Sequence, residues 1–421
     1  MIKRSFFGVV KPVLKYNREP GAVEDLPTPK RVVLLLEQSS NGTGNGFKVG
    51  DAVKTGQRLS ESPDGGGYVI SSVTGTISGV SPYVGTFGRK YKAITVDCNG
   101  SDTWDDGFNK EVDLDTAIDY LQCAPGRPDF GAFKDPEKTI RTIVITGVDQ
   151  DLLLTVNQCV VKNEGTNLKK GVQALKAMTG ADRVIMVVPE SLVQQANTSG
   201  AEVKTVGDTY PAGLPHMIMK DVVGRIVTAG DSVEHAGAWF VTAEAVAALG
   251  SAMETGRLPV AKLVTVVGKD GTATNKRVRI GTPIGQVLQA CSISLKDRDR
   301  VILGGPMRGT ATYSLDLPVE PDTDGIVVQD QVYSALLTDC PCVNCGECVR
   351  ICPVKIPVNM LVRFLEAGFY EDARSMYDLE CCIECGLCSY VCISRIPIFH
   401  YIKLAKHEIR MMEAAEAEED E

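Results

Sequence analysis

Two runs of cysteine constrain this chain more than any other feature of its sequence. The first is Cys342-x2-Cys345-x2-Cys348-x3-Cys352 and the second is Cys382-x2-Cys385-x2-Cys388-x3-Cys392. Ten of the 14 cysteines of the 421-residue chain lie between Cys340 and Cys392. A disulfide framework spreads its cysteines through a small secreted fold, whereas dense tetrads in an otherwise cysteine-poor chain suit metal ligation. Zinc sites favour two cysteine pairs set apart by a longer gap. Four cysteines within eleven residues, twice over, suit iron–sulfur cubanes instead. Three thiolates on one tight loop wrap three irons, and the fourth iron takes a thiolate from further away.

This spacing is that of bacterial two-cluster ferredoxins, in which the fourth cysteine of each run ligates the other cluster. It predicts two [4Fe–4S] clusters, one on Cys342, Cys345, Cys348 and Cys392 and the other on Cys382, Cys385, Cys388 and Cys352. Gly346 and Gly386 fall in mid-loop. A residue without a Cβ there lets backbone N–H groups approach the cluster sulfurs, and such hydrogen bonds, with burial, tune the potential. Pro353 follows Cys352 but Ile393 follows Cys392, so the second loop is expected to exit along a slightly different path. Cys340 and Cys381 are extra thiols, expected to be buried and non-ligating. Between the runs, Val358, Leu361, Val362 and Leu365 have helical spacing. Gly368 ends that pattern, and 371–379 reads as a second helix. Residues 398–412 read as a final helix, and 413–421 as a disordered, solvated acidic tail. His216, His235, His400 and His407 show no metal-ligand spacing, and no other catalytic constellation is legible.

The rest of the chain reads as several units, so the fold class is multidomain, α+β and α/β. Residues 1–30, rich in proline and basic side chains, are expected to form an extended arm. Residues 31–110 read as all-β, with strand-like runs at Arg31–Glu37, 68–72 and 93–98 between glycine-rich turns. Residues 111–256 alternate strand (Thr142–Thr146, Arg183–Val188) and helix (168–179, 243–253), the pattern of an α/β layer on a parallel sheet. Residues 257–330 form a smaller unit, with short strands at 263–268, 277–280, 281–284 and 301–305 around one helix, Ile284–Ala290. Its 304–306 segment reads as a tight turn. Residues 331–412 carry the cysteine runs. The net charge of −9 argues against a nucleic-acid binder, which needs clustered cations. No apolar run approaches the roughly 18–20 residues of a membrane span. The short apolar stretch near the N-terminus meets Lys11 and Pro12, so no signal peptide is read. The expected location is the cytoplasm, with any membrane association made through partners.

The segment Val49-Gly50-Asp51-Ala52-Val53-Lys54-Thr55-Gly56-Gln57, with Val73-Thr74-Gly75-Thr76-Ile77, resembles the barrel-sandwich domains that carry biotin or lipoate. Those domains place a lysine on an exposed hairpin. The corresponding 62–67 has none, so a structural role is expected. Further stretches at 279–284 and 304–307 join the comparison, as do both cysteine runs. So does Cys388-Ser389-Tyr390-Val391-Cys392 leading to Tyr401-Ile402-Lys403-Leu404-Ala405-Lys406. Together they resemble, over most of the chain, the RnfC family of electron-transport complexes and its relatives in cobalamin reduction and other electron-transfer assemblies.

The resemblance implies a barrel-sandwich hybrid domain, an α/β domain like those that bind NADH and FMN, a β-grasp (SLBB-like) domain and a ferredoxin-like α-helical domain. It also implies FMN in the α/β domain, hydride taken from NADH, and electrons passed singly to two clusters. The family's flavin site uses a loop of the form GGAGFPT and a strand ending in an Asn-Gly-Ala-Glu-Cys-Glu-Pro-like run. This chain has Cys123-Ala124-Pro125-Gly126-Arg127-Pro128-Asp129-Phe130-Gly131-Ala132-Phe133-Lys134 and Ile145-Thr146-Gly147-Val148-Asp149-Gln150-Asp151 instead. Proline removes N–H groups and an aspartate repels phosphate, so the cradle is poor. Tyr210-Pro211-Ala212-Gly213-Leu214-Pro215-His216 resembles the family's Tyr-Pro-Gln-Gly stretch, with Leu214 and Pro215 in place of charged residues. FMN and NADH are therefore disfavoured, and no family role passes to Asp149 or Asp151. Three functions follow. The chain is a flavin-free electron-transfer subunit between donor and acceptor subunits, or an FMN-containing NADH:acceptor (ferredoxin) oxidoreductase subunit, or a scaffold that uses its clusters structurally.

Overall fold

The computed structural model describes residues 13–16, 20–38, 46–60, 67–108, 110–332 and 340–419. In Arg31–Glu37, Val32, Leu34 and Leu36 are buried and the residues between them are not, the period-two pattern of a strand with one face on a core. It pairs antiparallel with Lys90–Cys98, which pairs with Gly75–Val84, which pairs with Ala52–Val53. The hairpin of Arg58–Ser60 and Tyr68–Ile70 sends Leu59 and Val69 into the same core. Residues 62–66, part of the stretch expected to lack a carrier lysine, lie outside the described residues.

The α/β layer has four parallel strands in the order Glu202–Thr205, Arg183–Val188, Thr142–Thr146, Ala238–Thr242. Thr142–Thr146 is buried at every position. Both faces are covered: Ile143 and Ile145 join one core and Val144 another. The chain steps outward from Thr142–Thr146 in one direction and later returns to its other side with Ala238–Thr242. The topological switch, where sheets of this kind bind ligands, therefore lies between those two strands. Here a polar network fills the region. The Asp149 carboxylate accepts the Asn157 N–H at 2.9 Å and Gln158 Nε2 at 3.1 Å. Asn157 Oδ1 in turn accepts the Glu244 N–H at 3.3 Å. Glu244 accepts the Leu263 N–H at 2.7 Å and the Lys262 ammonium, which also donates to Asp324 at 2.8 Å.

A six-stranded mixed sheet follows, in the order Val23–Asp25, Ala273–Arg279, Ala261–Val267, Gly325–Gln329, Arg300–Leu303, Thr310–Thr312. Three of its strands have no counterpart in the sequence pattern: Val23–Asp25 at one edge, Thr310–Thr312 at the other and Gly325–Gln329 in the middle. The expected strand at 281–284 is instead a turn. Gly281 has φ +89° and Pro283 caps the helix Ile284–Ala290, so the backbone cannot stay extended there.

The cysteine-rich region is helical, with Glu347–Ile351, Val358–Glu366, Tyr370–Tyr377, Leu387–Tyr390 and Ile398–Glu419. Val358, Leu361, Val362 and Leu365 form the buried stripe of their helix and meet Ile398, Ile402, Ala405 and Ile409. The last helix runs to Glu419, through most of the segment expected to be disordered. Its alanine and glutamate content is strongly helix-forming and outweighs the charge density. No described helix is long and apolar enough to cross a membrane.

Candidate metal centre

Each landmark of the first cysteine run recurs forty residues later (342 to 382, 352 to 392), and the backbone repeats with it. Left-handed φ values occur at Asn344 and Glu384 (54° and 53°), Gly346 and Gly386 (75° and 72°), and Lys355 and Arg395 (63° and 52°). The first two pairs curl each loop around its cysteines; Gly346 and Gly386 then start the short helices that carry Cys348 and Cys388. The third pair turns the chain out of each loop. The exits match: Lys355 N–H bonds to Cys352 O at 3.3 Å, and Arg395 N–H to Cys392 O at 3.1 Å. Ile393 in place of Pro353 changes the exit path little, because the turn is set by Lys355 and Arg395.

The thiols draw together across the runs. Burial first, and then the charges of Cys345, Cys342 and Cys392, push the Cys348 thiol up to about 12. Burial, then Cys352, acts upward on Cys385. Burial, then Cys382, Cys385 and lastly Cys348, raises Cys388 well above the usual thiol range. Cys352 thus neighbours the second run and Cys392 the first. All 14 cysteines are free thiols. Among the described residues, no three or more His, Cys, Asp or Glu side chains gather closely enough to hold a single metal ion. A cubane asks for a different geometry, since each of its four thiolates binds a separate corner iron. Cys340 is exposed and Cys381 half-buried, so neither is the buried thiol expected from sequence. Cys340 lies in the loop leading to the first run, and Cys381 in the turn Leu379–Cys381 before the second.

The two loops have different surroundings. Cys385, Ile383 and Leu387 pack with Tyr16, Tyr210, Leu214 and Ile351 in one apolar cluster. Tyr210 OH donates to Cys385 O at 2.7 Å, and Arg308 Nε to Glu384 O at 3.2 Å. Lys406 Nζ donates to Cys382 O at 2.7 Å. Asp151 holds the 304–308 turn in place, accepting N–H groups from Leu152 at 2.7 Å, Met307 at 3.1 Å and Arg308 at 2.7 Å. At the first loop the side-chain hydrogen bonds come from the cysteine-rich region itself: Arg350 Nη2 to Cys345 O at 2.8 Å, Asn359 Nδ2 to Asn344 Oδ1 at 2.8 Å and Ser394 Oγ to Pro341 O at 3.3 Å. Sequence reasoning missed Tyr16, Met307, Arg308 and Lys406 as neighbours of the second loop. Each is far from it in the chain or lacks any motif of its own.

Residues 124–258 match the family described as NqrA second alpha/beta domain, and residues 5–101 the RnfC Barrel sandwich hybrid domain. The C component of a proton-translocating ferredoxin:NAD(+) oxidoreductase complex from Clostridium ljungdahlii is 26% identical over 438 aligned positions, covering 97% of this chain and 94% of that one. The chain thus resembles the RnfC family over most of its length. The corresponding component of the Na(+)-translocating ferredoxin:NAD(+) oxidoreductase complex of Acetobacterium woodii is also 26% identical, over 78% of this chain and 79% of its own. A chain of an H2-reduced NAD+-reducing [NiFe]-hydrogenase covers 70% of this chain and 62% of its own, at 14% identity and a TM-score of 0.47.

Four N–H groups of the 123–134 loop are already bonded, three within the loop and one to Pro321. Gly126 N–H bonds to Pro321 O at 2.7 Å, Arg127 N–H to Ala124 O at 2.9 Å, and Lys134 N–H to Gly131 O at 2.9 Å. Gly131 N–H bonds to the Asp129 carboxylate at 3.1 Å. A Cβ at Gly126 would strike Thr242 Oγ1, so the loop lies hard against the sheet end. A cavity of about 540 Å3 is lined by Arg58, Tyr68, Cys123, Arg127 and Glu320 among others, but by none of the eight run cysteines.

Proposed function

We propose that this chain is an electron-transfer subunit of a multi-subunit oxidoreductase. It holds one [4Fe–4S] cluster on Cys342, Cys345, Cys348 and Cys392 and a second on Cys382, Cys385, Cys388 and Cys352, and relays electrons singly between a donor and an acceptor subunit. The observation that supports the reading is the meeting of the runs: Cys342, Cys348 and Cys352 of the first pack in one core with Cys382, Cys388 and Cys392 of the second. This is how two-cluster ferredoxins share their fourth ligands. When bound, such a cluster stores and releases one electron. The chain's own residues fix the loops through paired left-handed turns, exclude water with the core of Leu361, Leu365, Ile398 and Ile402, and aim N–H groups at the sulfurs. The Ile396 N–H already bonds to Cys392 Sγ at 3.4 Å.

On this reading, 331–412 is a two-cluster ferredoxin-like domain and 257–330 a β-grasp (SLBB-like) domain. Residues 31–110 form the barrel-sandwich domain, and 111–256 an α/β domain that has kept its sheet and lost its flavin. The residues present do not fit FMN. A phosphate cradle needs free, convergent N–H groups. Those of Gly126, Arg127, Gly131 and Lys134 are already bonded, and the switch-point region is filled by Asp149, Asn157 and Glu244. The relatives' complexes translocate ions, so we place this chain on the cytoplasmic face of a membrane, held by partner subunits.

The test is the iron and flavin content of the anaerobically purified chain, with spectra before and after NADH. We expect about eight irons, no flavin and no bleaching by NADH. One FMN per chain with bleaching by NADH would overturn the flavin-free reading in favour of an NADH:acceptor subunit. Fewer than about four irons would overturn the cluster reading itself.

A further inference from the structure

The forty-residue repeat extends past the cysteine runs into the helices that follow them. Val358–Glu366 and Ile398–Glu419 begin at equivalent positions. Val362 and Leu365 on the first correspond to Ile402 and Ala405 on the second, and all four are buried in one core. The next position along is Glu366 on the first helix and Lys406 on the second. Glu366 is exposed. Lys406 has only 13% of its side chain exposed. Its Nζ donates to the Cys382 carbonyl at 2.7 Å and to Glu384 Oε1 at 3.2 Å.

The other charges near the second loop offset one another. Arg308 donates its Nε to Glu384 O and its backbone N–H to the buried Asp151 carboxylate. Glu384 opposes Lys406, but 32% of its side chain is exposed. Water screens a carboxylate at that exposure more than it screens a nearly enclosed ammonium. At the first loop Arg350 is ion-paired to Glu347, and the counterpart of Glu384 is the neutral Asn344. Asp339, just before the first run, lies outside the described residues. A nearly enclosed cation bonded to a ligand cysteine's own carbonyl therefore marks the second loop, and the repeat puts an exposed acid at the equivalent place beside the first.

Reduction adds one negative charge to an iron–sulfur cluster. A cation close by, in a medium of low dielectric, stabilises the reduced form more than the oxidised one and raises the potential. We propose that Lys406 raises the potential of the cluster on Cys382, Cys385, Cys388 and Cys352, through a charge that the first repeat lacks. It is a positioning residue, touching the carbonyl of Cys382 and not its sulfur. The inference rests on the cluster reading above. In the reduction that Lys406 favours, the donor subunit loses one electron and the cluster gains it; no bond forms or breaks.

The experiment is a potentiometric titration of the full chain, purified anaerobically with its iron content measured first. Sodium dithionite with mediator dyes sets the potential, and electron paramagnetic resonance counts the reduced clusters. K406Q keeps a donor for the Cys382 carbonyl and removes the charge. One of the two potentials should fall by about 59 mV, a tenfold change in its equilibrium, and the other should stay in place. K406R should keep the wild-type potentials. E384Q removes the opposing charge and should raise the same potential that K406Q lowers. E366K puts a cation at the equivalent position of the first repeat and should leave that potential unchanged. Iron content should be the same in every variant; if K406Q loses iron, the sign of the shift in E384Q decides. Unchanged potentials in K406Q, or equal shifts of both clusters, would overturn the proposal. So would a shift that K406R shares, because the charge would then not be its cause. A wild type with fewer than about four irons would instead sink the underlying cluster reading, and the initial iron assay detects that separately.

Discussion

Asp149 sits at the end of a buried strand, and its carboxylate takes hydrogen bonds from Asn157 and Gln158. Burial nonetheless dominates and pushes its carboxyl up to about 6. The ordinary value is near 4, so the native state holds the proton more tightly than the unfolded chain does. The stabilising contribution is therefore complete below about pH 4 and is lost as pH rises through about 6. D149N removes the titration with little change of shape. We expect the urea midpoint of the wild type to fall relative to D149N between pH 5 and 7.5, by about 1.4 kcal/mol in stability. Parallel midpoint curves would show that Asp149 stays charged throughout. The cysteines give a second residue-scale prediction through iron counts. If Cys392 completes the first loop's cluster, C342S/C392S should keep about four irons and C382S/C392S almost none. The reverse result would mean that each run ligates its own cluster. C340S should keep all eight irons.

At the scale of elements, the two loop glycines look alike in sequence and differ in space. Both need a left-handed backbone, which costs a residue with a Cβ about 1–2 kcal/mol. A methyl at position 386 would also run into the Met307 carbonyl, whereas at 346 it meets only the flexible end of Arg350. G346A should therefore lower stability by about 1–2 kcal/mol, and G386A by about 3 kcal/mol or more. Thermal unfolding with retained iron measures both, and equal shifts would mean that the second loop is free to move away from the turn. The asymmetry shows where sequence legibility ended. The glycines, the cysteine spacing and the apolar stripe of Val358–Glu366 are local patterns, set by loop and helix geometry, and could be read directly. So could the all-buried strand Thr142–Thr146. Gly325–Gln329 escaped because five residues after a proline-rich segment carry no period of their own; their place between Ala261–Val267 and Arg300–Leu303 comes from tertiary pairing. Val23–Asp25 escaped for the same reason, with two acids in three residues and only an edge partner. Asp151 was visible as an acid in the altered flavin segment. Its bonds to Met307 and Arg308 span more than 150 residues of sequence, which no local rule predicts.

Across the whole molecule, the second cysteine loop is the place where separate parts of the chain converge. Tyr16 comes from the N-terminal segment, Tyr210 and Leu214 from the α/β layer, and Met307 from the turn beside the six-stranded sheet. Tyr16 OH accepts the Gly213 N–H at 3.0 Å and its ring stands 5.6 Å from that of Tyr210, so the first segment clamps the loop that holds Cys385. One further bridge from the barrel-sandwich domain, the stacking of Phe87 on His407 at 4.7 Å, reaches the last helix, but Phe87 is 39% exposed and contributes less. Domains joined by a modest interface unfold separately unless that interface couples them. Here the coupling runs through two directed bonds, Tyr210 OH to Cys385 O and Arg308 Nε to Glu384 O, in an otherwise apolar contact. Removing a donor from a buried carbonyl costs about 1–3 kcal/mol. Y210F/R308L should therefore weaken the junction by several such units while leaving the core of the cysteine-rich domain, built on Leu361, Leu365 and Ile402, unchanged. Calorimetry of the anaerobic holoprotein should show one transition for the wild type. The double variant should show two, the earlier one accompanied by loss of the iron–sulfur absorbance. A single transition shifted to lower temperature would mean that the N-terminal segment and the Phe87 contact carry the coupling instead. In that case the second cysteine loop would be held by the fold of its own region, and its contact with the α/β layer would serve only to position it.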